Sequence, residues 1–243
     1  IYKSYKFRIQ PNKTQQELLN KHFGCARFVY NYFLNQKITQ YEETKKSDNY
    51  NTQANKLTEL KKQDEYSWLK EVNSQSIQQA LKHLDSAYST FFRTKKGFPK
   101  FKSKRNKNSF SVPQHIVVKD EKLYIPKFKN GIKLTKDRQI KGTIKSCTIS
   151  KDCRNQYFVS ILVLENIIQY PKTNKDVGID LGIKDLVITS DGTKYENHKF
   201  TKRYEKQLST AQKHLSRKVK GSRQYEKQRL KVAKIHGKLS NSR

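Results

Sequence analysis

Apolar and charged residues alternate at the start of the chain. Tyr5, Phe7 and Ile9 are separated by Lys6 and Arg8, the period-two pattern of a half-buried strand, and Pro11 ends it. Thr14-Gln15-Gln16-Glu17 reads as a capping box. Behind it Leu18, Leu19, His22, Ala26, Val29, Tyr30, Phe33 and Tyr41 recur at helical spacing and predict one long amphipathic helix. A polar stretch from Ser47 to Asn55 breaks it, and a shorter helix is expected around Leu57 and Leu60. A third helix opens near Asn73-Ser74, with Ile77, Ala80, Leu81, Leu84, Tyr88, Phe91 and Phe92 on one face, and Gly97-Phe98-Pro99 stops it.

The period then changes from helical to alternating. Ser109 to Val118, Leu123 to Phe128, Ile144 to Ser150 and Tyr157 to Leu164 are β-rich, with Pro and Gly between them. Short strands at this spacing predict a small antiparallel barrel. Tyr2 to Ile9 can supply its first strand, with the helical segment inserted after it. Pro171-Lys172-Thr173-Asn174 reads as a linker. From Lys199 to Arg243 strand signals fade, and one or two basic helices are expected, joined at Gly221-Ser222. Their thin apolar stripe is Leu208, Leu215 and Val219, then Leu230, Ala233 and Ile235.

Charge narrows the function more than length does. The 243 residues carry 52 Lys and Arg against 21 Asp and Glu, a net charge of +31 that calls for a polyanionic partner. Nucleic acid is the first expectation. No apolar run approaches the roughly 20 residues of a membrane span, so no membrane partner is expected, and no secretory signal pattern opens the chain. Three cysteines (Cys25, Cys147 and Cys153) form no disulfide framework and no CxxC pair, so no zinc site is expected. A reducing cytoplasm fits this usage. A chain that opens on Ile1 and contains no Met is expected to be processed or a piece of something longer.

The chemistry concentrates at Val177-Gly178-Ile179-Asp180-Leu181-Gly182-Ile183-Lys184-Asp185. This reads as a buried strand with one carboxylate, a tight Gly turn, and a second strand from Leu186 to Thr189 closed by Asp191-Gly192. A buried apolar run does not hold an Asp unless something compensates the charge. A divalent metal would do so, which makes Asp180 a candidate catalytic and metal-ligating carboxylate for two-metal phosphodiester chemistry. The plain alternative is an Asp that caps a turn beside Gly182. Asp185 and Asp191 read as ordinary turn residues. A hydrolytic two-metal site usually needs three or four carboxylates, because two divalent cations about 4 Å apart repel each other. After Asp180 only Asp185, Asp191, Glu196, Glu205 and Glu226 remain, so the chain holds one wall of such a site.

Three segments are candidates for nucleic-acid contact. Between Phe91 and Phe110 lie Arg93, Lys95, Lys96, Lys100, Lys102, Lys104, Arg105 and Lys107 with no acid, and Phe98, Phe101 and Phe110 are interleaved or adjacent. Cations can meet phosphates while bases stack on rings, which suits a single strand or folded RNA; the plain alternative is a solvated loop with core-facing Phe residues. The second is the closing basic region, where fifteen Lys and Arg face two acids and Arg217, Lys218, Lys220 and Arg223 cluster at the joint. The third is Gln75, Gln78 and Gln79 at the start of the third helix. Gln can pair with adenine in a major groove, or simply be solvated.

Several stretches resemble the TnpB family, the RNA-guided DNA nucleases of bacterial insertion sequences, relatives of compact type V CRISPR effectors. They are Tyr5 to Asn12, Phe23 to Asn31, Ser76 to Asp85, Gly97 to Lys104, Val177 to Asp185 and Leu215 to Lys218. The resemblance implies an α+β multidomain protein. A small antiparallel β-barrel (the wedge) would comprise residues 1–10 and 92–172, and together with a helical recognition domain inserted at 11–91 it would read a short motif beside the target. The first part of an RNase H-like (RuvC) nuclease domain would occupy 173–243. It further implies Asp180 as first RuvC carboxylate, Mg2+ or Mn2+ as cofactor, a guide RNA from the transposon end and target double-stranded DNA as partners, and a place in the bacterial cytoplasm at the nucleoid. The family's second RuvC Glu, four-Cys zinc ribbon and third-motif Asp have no counterpart here. The expectation is therefore that these residues bind and do not cleave. The alternatives are a cleavage-inactive RNA-guided repressor or a guide-free transposase accessory protein.

Overall fold

A computed structural model describes residues 1–105, 108–166, 171, 173 and 176–242. Lys107, and Lys172 and Asn174 of the expected linker, lie outside the described residues. The chain divides into two units, Ile1–Ile167 and Ile168–Arg243.

In unit 1, β1 (Tyr2–Gln10) leads into α1 (Lys13–Thr44), α2 (Tyr50–Leu60), a 3₁₀ segment (Asp64–Glu71) and α3 (Ser74–Thr94). Six strands follow: β2 (Asn108–Val112), β3 (Val117–Lys119), β4 (Lys122–Tyr124), β5 (Ile132–Thr135), β6 (Thr143–Lys151) and β7 (Tyr157–Leu164). They form one antiparallel sheet with β1, in the order β2-β6-β7-β1-β5-β4-β3. β1 pairs with β7 from Tyr2↔Leu164 to Ile9↔Tyr157, and its last residues pair with β5. Among the described residues no ladder joins β2 to β3, so hydrogen bonds do not close the sheet into the expected barrel.

The alternation forecast at the N-terminus holds. Tyr5, Phe7 and Ile9 are buried, as are Tyr157, Val159, Ile161 and Val163 on β7. On α1 the buried set runs Leu19, His22, Phe23, Ala26, Val29, Phe33 and Leu34, a helical stripe that meets Ile77, Ala80, Leu81 and Leu84 of α3. Sheet and helices share one hydrophobic core.

Four local expectations need correction. The capping box of α1 is Asn12 with Gln15, not Thr14 with Glu17. Asn12 Oδ1 accepts from the Gln15 N–H at 2.8 Å, and Gln15 Oε1 accepts from the Asn12 N–H at 3.1 Å. Pro11 holds the chain extended, so the helix starts at once and the short Asn amide reaches back to it. The expected strand from Ser109 to Val118 is two strands, because Pro113 has no N–H to give to a ladder. The expected strand from Leu123 to Phe128 ends at Tyr124, because the chain turns at Pro126; β5 and the 3₁₀ segment had no periodic signal. Phe110, expected to contact nucleic acid, is a core residue instead: it is 3% exposed, with its ring 4.8 Å from His22 and 5.4 Å from Phe23.

His22 joins α1 to the start of α3. Its Nδ1 lies 2.8 Å from the Leu18 carbonyl, and its Nε2 accepts from the Asn73 N–H at 3.1 Å. Those two bonds require the neutral ring with the proton on Nδ1. Burial pushes its pKa below the ordinary 6.5, while the bond to Leu18 works the other way. Cys25 and Cys147 are buried thiols whose pKa is pushed up to about 12 by desolvation, whereas Cys153 is exposed in the turn between β6 and β7.

In unit 2, β8 (Ile179–Asp180), β9 (Asp185–Thr189) and β10 (Lys194–Glu196) form an antiparallel sheet in the order β10-β9-β8. Two helices follow, α4 (Phe200–Ser216) and α5 (Arg223–Asn241), and they pack on each other through Ala211, Val232 and Ala233. Val219 departs from the expected stripe: it sits in the connecting turn, 78% exposed. No helix among the described residues is long and apolar enough to cross a membrane.

Two outcomes follow for unit 1. Phe110→Ala is expected to lower its stability by about 3–5 kcal/mol in urea denaturation. The unfolded chain protonates His22 at 6.5 and the folded chain only at lower pH, so stability is complete above 6.5 and declines as pH falls from there. Urea midpoints of wild type measured from about pH 8 to about pH 5 should show that decline, and His22→Leu, less stable throughout, should lose this part of it.

Candidate nucleic-acid interface

The cationic segment begins where α3 ends. Lys95 takes the left-handed conformation (φ 56°) and its N–H caps the Phe91 carbonyl at 2.7 Å. Thr94 Oγ1 donates to the Thr90 carbonyl at 2.8 Å and accepts from the Lys96 N–H at 3.3 Å, which pins the turn. Beyond it the chain runs without regular structure but not without anchors. Asn31 of α1 clamps Lys102 at both ends: its Oδ1 accepts from the Lys102 N–H at 2.8 Å, and its Nδ2 donates to the Lys102 carbonyl at 2.9 Å. The Lys102 ammonium lies 3.7 Å from the centre of the Tyr30 ring. Arg93, Lys95, Lys96, Lys100, Lys104 and Arg105 are all exposed, as are Phe98 and Phe101. The sequence placed these cations together and the structure keeps them so, on a segment tied down to α1.

At the other end of α3 the three glutamines differ. Asn73 caps the helix by accepting from the Gln75 N–H at 3.1 Å. The Gln75 amide donates to Gln114 Oε1 at 3.1 Å, so it is already engaged. Gln79 is half-buried, and Gln78 alone is exposed and free to read an edge. A cleft of about 260 Å³ lies between α1, α3 and β2, lined in part by Arg27, Ser76, His83, Lys102 and Asn108. Arg27 Nη1 donates to Asn108 Oδ1 at 3.1 Å. Sequence reasoning missed Arg27, and it read His83 only as a helix-surface or boundary residue. The crossing of α1 with α3 brings both to one cleft.

The carboxylate hairpin of unit 2 forms, with Ile179↔Thr189 and Asp180↔Ile188, and Asp185, expected in the turn, opens β9 instead. Gly182 is required there, because a Cβ would sit 2.8 Å from the Asp185 carbonyl oxygen. The expected burial does not occur. Both residues of β8 are exposed, with Ile179 at 61%, and Leu181 at 75% follows. β8 is an edge strand of two residues, and its apolar side chains find no cover within the described part of unit 2. Asp180 therefore sits on a strand but in solvent. Asp191 is held by its own turn, accepting from Thr189 Oγ1 at 2.6 Å and the Thr193 N–H at 3.0 Å, and those bonds lower its pKa. Among the described residues no group of three or more His, Cys, Asp and Glu comes together to hold a metal ion.

The basic joint lies between α4 and α5. Arg217, Lys218, Lys220 and Arg223 are exposed there, and Ser222 caps α5 by accepting from the Tyr225 N–H at 3.1 Å. Arg203, Lys206 and His214 share a face of α4 and, with Lys231 of α5, line a groove of about 600 Å³. Sequence reasoning did not single these out. Their spacing of three, eight and seventeen residues was the available signal.

Two family models match the chain, one described as a helix-turn-helix domain over residues 1–46 and one as a probable transposase over residues 159–243. Residues 1–46 hold β1 and the single helix α1 rather than two helices. The "Putative RNA-guided DNA endonuclease InsQ" of Escherichia coli (strain K12) is 32% identical over 244 residues, covering 99% of this chain and 60% of the relative. The "Putative RNA-guided DNA endonuclease" of Streptomyces pristinaespiralis is 32% identical over 247 residues, covering 100% of this chain and 61% of the relative. The chain thus spans about three fifths of the length of these relatives. A cryo-EM structure of a CRISPR-Cas12f ternary complex aligns at 14% identity with a TM-score of 0.42, covering 95% of this chain and 58% of that one. With curated relatives matching along its whole length and family models at both ends, the chain belongs to the TnpB family.

Proposed function

We propose that this chain grips a guide RNA and the double-stranded DNA it selects, as the nucleic-acid-binding portion of an RNA-guided DNA endonuclease. The observation that carries the reading is the uncompensated charge. None of the ion pairs among the described residues involves Arg93, Lys95, Lys96, Lys100, Lys104 or Arg105. Cations left free on an anchored segment are available to phosphates, and each phosphate they neutralise releases condensed counterions. The names of the two relatives agree with this direction. In such an assembly base pairing with the guide specifies sequence, and the protein holds the heteroduplex by its charge and shape. The guide would come from the transposon end. Gln78, solvent-facing near the α3 N-terminus, is the best-placed of the three glutamines to touch a base.

Asp180 is assigned as the first carboxylate of a RuvC-type site that would use Mg2+ or Mn2+. The described residues do not complete that site. Asp180 stands exposed, no group of three or more His, Cys, Asp and Glu forms around it among the described residues, and Asp191 is committed to its turn. No bond-breaking step follows from them.

Two measurements test the proposal. Changing Arg93, Lys95, Lys96 and Lys100 together to Gln should flatten the plot of log K against log salt by roughly 3 units, at about 0.7–0.9 for each phosphate left without its cation. An unchanged slope would remove the segment from the interface. Residues 1–243 mixed with guide RNA, matched DNA and Mg2+ or Mn2+ should retard the DNA in a gel yet leave it intact, and Asp180→Ala should retard it equally. Metal-dependent cutting that Asp180→Ala abolishes would overturn the assignment of a binding role alone.

A further inference from the structure

Tyr88, Phe91 and Phe92 stand at i, i+3 and i+4 near the end of α3 and share one side of it. The helix then stops. Lys95 at φ 56° and Gly97 at φ 74° turn the chain back on itself. Phe98 returns to set its ring edge-on to Phe91, at 5.3 Å and 85°, and to Tyr88, at 5.8 Å and 84°. Phe92 lies 6.2 Å from Tyr88 at 29° and 5.3 Å from Phe91. Beneath them the buried Lys37 places its ammonium 4.7 Å from the Tyr88 ring. Four rings thus hold one another in place, by edge-to-face and offset contacts that favour a fixed geometry. Yet Phe92 is 59% exposed and Phe98 is 45% exposed.

A single exposed phenylalanine is ordinary. Two rings fixed by two others and left open beside the acid-free run of cations from Arg93 to Lys100 are a patch with a direction. Flat apolar faces beside free cations match one ligand chemistry closely: bases that stack on the rings while their phosphates meet the charges. Bases inside a duplex have no free face to offer, so the ligand must have unpaired ones.

We infer that Phe92 and Phe98 form a stacking platform for unpaired bases of a single-stranded nucleic acid, with Arg93, Lys95, Lys96 and Lys100 holding its phosphates. The inference rests on the nucleic-acid-binding role proposed above and adds which part of the ligand this end of α3 reads.

The test uses residues 1–243 and short fluorescent oligonucleotides, as RNA and as DNA, each in a base-bearing and an abasic form. Anisotropy titrations should show wild type binding the base-bearing strand more tightly than the abasic one. The double change Phe92→Ala with Phe98→Ala should weaken base-bearing binding roughly 10- to 100-fold, leave abasic binding alone and keep the salt slope. Phe92→Tyr with Phe98→Tyr should restore the preference, and its thermal melt controls for folding. Preference for both sugars places the recognition on the base, and preference for one names the strand. Equal loss on base-bearing and abasic strands, or a preference that survives in the Ala variant, overturns the platform while leaving the binding role intact. Wild type that binds neither strand overturns the binding role and the platform together.

Discussion

Excess positive charge is the constraint to which the rest of the structure answers. A chain with a net charge of +31 repels itself when compact, and the apolar packing of α1, α3 and the sheet has to outweigh that repulsion. The fold separates the two problems. The core of unit 1 is apolar except for a few residues such as His22, Lys37 and Gln53, whereas the cations from Arg93 to Arg105 lie on a surface segment fixed by Asn31. Repulsion is thereby left where a polyanion can relieve it, and binding and folding stability become coupled.

α3 makes the arrangement directional. Its 21 residues form one rigid rod, about 30 Å long at 1.5 Å per residue. One end is tied to α1 through the His22 ring and carries Gln78. The other carries the aromatic rings and the cations. A ligand touching both would be gauged against a fixed length, since neither end can shift without disturbing the core packing of Ile77, Leu81 and Leu84.

Much of this was legible because local pattern and tertiary role agreed. The alternation at Tyr5, Phe7 and Ile9, the stripe on α1, the limits of β7 and the hairpin around Asp180 all followed from period and turn chemistry. What failed depended on neighbours that the sequence does not name. Phe110 stands beside a cationic run, and nothing local distinguishes a ring that stacks on His22 from one that faces a base. Asp180 lies in an apolar run, but apolarity gives burial only if a second layer covers the strand, and the described part of unit 2 leaves β8 open. The cleft that Arg27 and His83 share was invisible for the same reason: it exists only where two helices cross. The capping box went to Asn12 because Pro11 set the helix start two residues early.

The three cysteines differ in a way that has a practical consequence. Cys25 and Cys147 are buried with their thiols held in the protonated form, which is a poor nucleophile, while Cys153 stands exposed at the tip of a hairpin in the sheet. A maleimide or iodoacetamide dye should therefore attach at one position without any engineered substitution. Residues 1–243 thus come with a built-in optical reporter position on the β6–β7 hairpin, from which distances to a labelled oligonucleotide can be triangulated.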